Sequence, residues 1–335
     1  MSHPRVKSLL TTVLLSAVFV DHLDAQEVRL DDRCVVRFAS QQEAADVLGT
    51  EDAFIERLTR FDLQSRLQTE REVTSLDYRT ELIAGIQPWT ESLKEQVLSP
   101  LRTLSERIVP LRLPLPEEIL LVCTNGQGEA GAPHTRGNAI ILPQKRISSS
   151  PDVMLRLLAH ELFHVVSRHD ATLRDALYRE IGFHRCQEIE VPDEWKDRRI
   201  TNPDAPIVEH FIEVAINDRV VPVAPILFSR IPVYNTRHSE PFFKYLDLRF
   251  VELKKTSEGC QVALDGEGKM ISYAAKELPD FLDQVGTNTN YIIHPEEILA
   301  DNFSFLISGK TVPSPEVIAA MNRVFRDQLS RQGTQ

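Results

Sequence analysis

The chain has 335 residues, 42% of them hydrophobic, enough to bury a sizeable core as one large domain or two. Its formal net charge is −11, and no basic run or basic–aromatic interleaving offsets it. That balance excludes a phosphate-binding surface for nucleic acid and chiefly serves solubility.

The first residues carry the pattern of an export signal. Arg5 and Lys7 precede an apolar stretch from Leu9 to Val20, ended by Asp21, and Leu23-Asp24-Ala25 offers a small residue for cleavage before Gln26. The stretch is too short for a membrane span, which takes about 20 residues. Residues 1–25 therefore read as a signal peptide, leaving a secreted or periplasmic chain with no stable span; an uncleaved anchor is the alternative. No cysteine stands at the cleavage point, so no lipid anchor is indicated there.

After the signal, Asp32 to Phe38 reads as a short strand. From Gln41 to about Val109 the composition is helical, with Pro88 and Pro100 expected to break it and Pro110 to end it. Residues 26–110 thus form a mainly helical N-terminal layer without evident chemistry. Leu111 to Pro116 is a stiff connector. Glu118 to Cys123 and Asn138 to Leu142 read as strands, the second able to pair with an extended peptide. His134, in the loop between them, reads as a surface histidine.

The most informative stretch follows, Leu158-Ala-His-Glu-Leu-Phe-His164. Residues i and i+4 lie one turn apart on nearly the same helix face, so His160 and His164 can aim imidazole nitrogens at one ion. Glu161 stands beside them, placed to take a proton from water. Ser150 suits the N-cap, Pro151 the first helical position and Asp152 the positive helix end. Val153, Met154, Leu157, Leu158 and Val165 continue the helical apolar spacing. The bland alternative is a core helix with two hydrogen-bonded histidines.

Beyond Asp170, Leu173 to Ile181 reads as a helix, Arg198 to Pro206 as a loop, and Val208 to Ile216 as a short helix. Pro225 to Phe228, Phe242 to Leu253 and Gln261 to Leu264 have strand character. Asp265 to Gly268 makes a hairpin turn before Met270 to Tyr273. A last helix opens at Ser314-Pro315 and reaches about Leu329. The cysteines are Cys34, Cys123, Cys186 and Cys260, an even number that suggests two disulfides in an exported chain. Their spacing is too wide for a C-x-x-C site. Cys34 and Cys123 lie in two predicted strands and Cys186 and Cys260 in one insert, so Cys34–Cys123 and Cys186–Cys260 are the expected pairs.

A catalytic zinc usually keeps three protein ligands and an open position. The third ligand is sought in His294-Pro-Glu-Glu-Ile-Leu-Ala-Asp301, where Pro295 starts a helix. Glu297 and Asp301 are i and i+4, so Glu297 can ligate while Asp301 accepts a hydrogen bond from the back nitrogen of a ligand histidine. Glu296 is the weaker choice because its i+4 partner is Ala300; both glutamates also simply favour a helix N-terminus. H-E-x-x-H followed by a helix bearing E-x-x-x-D resembles the gluzincin zinc metallopeptidases, the thermolysin-like clan. The resemblance covers these two helices only. It implies His160, His164 and Glu297 as zinc ligands, Glu161 as the residue that polarises water, and Asp301 behind a histidine.

The stretch from His164 to Glu297 is longer than is usual for that clan: an insert at about 185–285 can cap the cleft or restrict substrates, or the length means that Glu297 is not a ligand. A rival ligand is Asp170 or His169, since metzincin peptidases continue the motif as x-x-G-x-x-H; here Ser167 replaces the glycine. Tyr291 is the first choice of oxyanion donor, with His210 or His238 behind it. The expectation is an α+β protein with a zincin-like core in residues 111–335, binding one Zn2+ per chain and cutting peptide or protein substrates. A zinc-binding protein without proteolysis is the alternative.

Overall fold

The computed structural model describes residues 27–238, 241–257 and 259–332, so the export signal expected at residues 1–25 lies outside the described residues. Two short antiparallel strands come first, β1 (Glu27–Arg29) and β2 (Val35–Phe38). Four helices follow: α1 (Gln41–Gly49), α2 (Ala53–Glu56), α3 (Arg60–Arg66) and α4 (Ser75–Ala84). Each begins at a polar N-cap, Ser40, Asp52, Thr59 or Thr74, whose side chain accepts from first-turn amides.

Helix α5 (Glu91–Ile108) runs straight through Pro100, where a break was expected. A mid-helix proline costs about 3 kcal/mol. Val97, Leu101, Leu104 and Ile108 are buried along the same helix, and each buried aliphatic side chain contributes about 1.5–3 kcal/mol, which outweighs that cost.

β3 (Glu118–Thr124), β4 (His134–Arg136) and β5 (Ala139–Pro143) complete a five-stranded sheet in the order β1-β2-β3-β5-β4. β2, β3 and β5 are parallel, and the two outer strands are antiparallel to their neighbours. The strand β2 of the mainly helical N-terminal region joins this sheet, Val36 pairing with Ile119. α1, α2 and α4 cover one face over Val122, Ala139 and Ile141. β5 is hydrogen-bonded on both sides, so it offers no edge for the extended peptide expected there, and the outer strand is β4.

Helix α6 (Pro151–His169) carries the histidine motif under the other face, packed against α5. It opens with Pro151 in the first turn, although the Ser150 side chain makes no capping bond. It is buried almost all round, as expected of a helix at the centre of a core. α7 (Ala171–Glu180) follows at once.

The insert is a second, antiparallel sheet. Its elements are β6 (Phe183–Arg185), α8 (Asp193–Lys196), β7 (His210–Ile216), β8 (Arg219–Ser229), β9 (Leu246–Thr256), β10 (Gly259–Val262) and β11 (Ser272–Tyr273). The order is β10-β9-β8-β7-β6, with β11 also pairing β9. Residues 210–216 form a strand where a helix was expected. Ile212 and Val214 stand fully buried on it, and Asn217 and Asp218 turn the chain with φ of 46° and 61°. Two successive left-handed residues make a type I′ hairpin, a turn that Asn and Asp tolerate. Phe242–Tyr245 is a 3-10 turn before β9, and Leu264 bridges Met270 across the expected Asp265–Gly268 turn.

Helices α9 (Pro279–Val285), α10 (Pro295–Ser308) and α11 (Pro315–Gln332) close the chain. One hydrophobic cluster runs from Val36, Ile119 and Ile140 through α5, α6, α10 and α11 to Ile212, Val223 and Phe250, so both sheets share a core. The fold is mixed α and β. Among the described residues no helix is long and apolar enough to cross a membrane.

All four cysteines carry free thiols. The parallel register sets Cys34 beside Glu117, six residues before Cys123 on β3, about 20 Å at 3.3 Å per residue. The pair Cys34–Cys123 is thus ruled out by sheet register. Cys186 and Cys260 do lie together, near enough to hydrogen-bond.

Candidate metal centre

The site is built where α6 meets α10, the helix it packs against most extensively. α10 begins at Pro295 after His294, whose Nδ1 accepts from the Glu296 amide at 3.1 Å, and it ends at Gly309 in the left-handed conformation. Glu296 and Glu297 sit in its first turn, where the helix dipole favours carboxylates.

His160 Nδ1 meets Asp301 Oδ1 at 3.0 Å, and His164 Nδ1 meets Glu296 Oε1 at 2.8 Å. This pairing runs in opposite senses along the two helices, so they pack antiparallel. With both Nδ1 atoms engaged, both Nε2 atoms turn to one point. His160 Nε2 lies 3.3 Å and His164 Nε2 3.6 Å from Glu297 Oε2. Atoms bound tetrahedrally to one zinc at 2.0–2.1 Å are about 3.3–3.4 Å apart. His160, His164 and Glu297 thus present a two-imidazole, one-carboxylate donor set within 4.8 Å. The buried Nε2 of His164 and Oε2 of Glu161 have no hydrogen-bond partner, as expected of groups facing an ion and its water. The residues present fit a zinc ion.

The charges agree with a cation here. Burial opposes a proton on His160, yet Asp301 and Glu297 hold its pKa well above the usual histidine range. Burial likewise opposes it on His164, but Asp204, Glu297 and Glu296 raise that pKa to about 9. The Glu161 carboxyl is pushed up to about 8 by burial first and then by the Asp204 charge. Positive charge is favoured among these carboxylates.

Several partners went unread in the sequence. Glu296 was ranked below Glu297, and it is the acceptor that orients His164. Ser167 and Tyr178 both donate to the Glu296 carboxylate, and Thr289 donates to Asp301. Asn202 and Asp204 come from the insert: Asn202 Nδ2 donates to Glu297 Oε1 at 2.6 Å, and Asp204 stands beside Glu161 and His164. The only sequence signal for them was Glu296 adjoining Glu297. The others converge through folding.

The rivals stand elsewhere. Asp170 accepts from the amides of Thr172 and Leu173 as the cap of α7, and His169 is exposed at the end of α6. Tyr291 is at the site, 42% exposed, its ring stacked on His160 with centroids 6.4 Å apart. His210 lies behind it, against Tyr178 and Asp175. His238 closes the 3-10 turn Thr236–His238, whose Thr236 is tied to Glu70 rather than to the site. His134, expected at the surface, is buried on β4 with Nδ1 against Ala132 O, because β4 is covered by a segment of the insert.

No known family, no curated protein and no solved structure matches the chain.

Proposed function

We propose that the chain is an exported zinc metallopeptidase with a zincin-like core that hydrolyses peptide bonds in peptide or protein substrates. The observation that carries this is the convergence of His160 Nε2, His164 Nε2 and Glu297 Oε2, with Asp301 and Glu296 behind the two histidines. The strand–strand–helix order of β4, β5 and α6 supports it, as does an outer strand, β4, at which an extended peptide can pair. The Arg5 to Ala25 pattern supports export.

Zinc at this centre supplies a Lewis acid for the scissile carbonyl and lowers the pKa of water. Glu161 takes the proton from the attacking water and hands it to the leaving amine. Its carboxyl, pushed up to about 8 by burial and the Asp204 charge, would serve as a base near neutral pH with a cation held beside it. Asp301 and Glu296 hold the histidine rings in orientation. Tyr291, at the exposed side of His160, donates to the developing oxyanion.

The test is Glu161→Gln, which keeps the side chain's size and removes the base. Metal analysis should find one zinc per chain in wild type and in the variant alike. Turnover of a mixed peptide pool should fall by about 10²–10⁴-fold. Absence of zinc after reconstitution, or unchanged turnover in the variant, would overturn the reading. A second reading, a zinc-binding protein that hydrolyses nothing, draws on the burial of Glu161 and His164, whose site-facing atoms are closed off from solvent.

A further inference from the structure

The insert sends one segment across the centre. Thr201 anchors its start: its amide donates to Asp62 at 3.1 Å, its hydroxyl to Arg57 O at 2.9 Å, and its carbonyl accepts from Arg66 at 2.8 Å. Val208 anchors its end by accepting from the Ile189 amide at 2.8 Å. Between these buried anchors, residues 202–207 are all half-buried.

The middle of the segment is latched by polar contacts. Asp204 Oδ1 accepts from the Thr135 amide at 2.7 Å and from its hydroxyl at 2.6 Å. Arg168 donates to Asp204 O at 3.3 Å, and Asn202 donates to Glu297. Thr135 is the middle residue of β4, the outer strand of the first sheet, and it is fully buried. Its amide points away from β5, and Asp204 holds it. An Asp204 oxygen also lies within 4.8 Å of a Glu161 oxygen and a His164 ring nitrogen, so the segment reaches from the strand edge to the catalytic groups.

We infer that residues 202–207 form a strap lying in the substrate's place, and that a peptide enters only by displacing it. The inference rests on the peptidase reading of the same centre. An extended peptide pairing with β4 needs the Thr135 amide, which Asp204 occupies. Peptide and strap compete for one donor. A segment held by a few hydrogen bonds between two firm anchors is of the kind that opens locally at low cost. Closed, it shields Glu161 and His164; released, it uncovers the donor that a peptide carbonyl takes.

The test uses the full zinc-loaded chain, a mixed-sequence tripeptide hydroxamate as probe, and amide hydrogen exchange read by mass spectrometry. Probe binding to wild type should speed exchange across 202–207 at least tenfold while Thr135 stays protected, because the peptide replaces Asp204. Asp204→Ala should bind the probe at least tenfold more tightly, since the site no longer spends most of its time closed. Thr135→Val, which deletes one latch donor and keeps the amide, should tighten binding several-fold and serves if the first variant does not fold. Binding with unchanged exchange at 202–207, or no tightening in a folded variant, would mean that the segment is a fixed cover of a strand edge. A chain that holds zinc and binds the probe but fails here loses only the strap. A chain that takes up no zinc loses both readings.

Discussion

Two carboxylates do the same task behind the two histidines, and sequence spacing singled out one of them. Asp301 was reached by its i+4 relation to Glu297. Glu296 was set aside for lacking such a partner, although its oxygen lies 2.8 Å from His164 Nδ1. A carboxylate there fixes the ring and raises its basicity toward a metal. Glu296→Gln keeps the length and removes the charge that holds His164, Ser167 and Tyr178 together. Zinc affinity, measured by competition with a chelating dye, should fall by about 10–100-fold, similar to Asp301→Ala. Glu297→Gln, which alters a proposed ligand itself, should cost more. Equal affinities in wild type and Glu296→Gln would show that Ser167 and Tyr178 alone set the ring.

Helix α10 supplies Glu296, Glu297 and Asp301, so its first turn governs the site. That turn is capped by His294, buried, with Nε2 lacking a partner. Burial, then the charges of His210 and Arg174, hold its pKa well below the usual histidine value. The fold therefore keeps it neutral, while the unfolded chain takes up a proton near pH 6.5. Stability from this residue is complete above about pH 6.5 and declines as pH falls toward the lower folded value. His294→Asn retains a capping acceptor and removes the titration. Thermal unfolding of wild type and variant at pH 5, 6 and 7 should show the variant losing less stability over that range. Parallel curves would show that His294 titrates alike folded and unfolded.

Across the chain, the register of the strands decides which thiols meet. Cys34 and Cys123 are buried on one sheet but far apart along it, and burial pushes their thiols up to about 12 and about 11. Cys186 is half-buried and borders Cys260 within the second sheet. Peptide mapping of oxidised, non-reduced protein should find the single bond Cys186–Cys260, with Cys34 and Cys123 alkylated only after unfolding. Any bridge from Cys34 would contradict the parallel pairing of β2 with β3.

The local features were legible from one sequence. Helical spacing led to α6 and α10, the apolar runs to β3 and β5, Pro295 to the start of α10, and the i, i+4 rule to the pairs His160 with His164 and Glu297 with Asp301. Each of these depends on residues within a turn or two, where backbone geometry leaves few options. The rest depended on contacts between distant parts of the chain. Pro100 stays within α5 because burial against α6 outweighs its cost. Residues 210–216 are a strand because β8 pairs with them, and a short apolar run has no preference strong enough to say so. Asn202 and Asp204 stand at the candidate metal centre because the insert folds back over β4. Their positions follow from packing of the two sheets on one core, and no spacing along the chain encodes that.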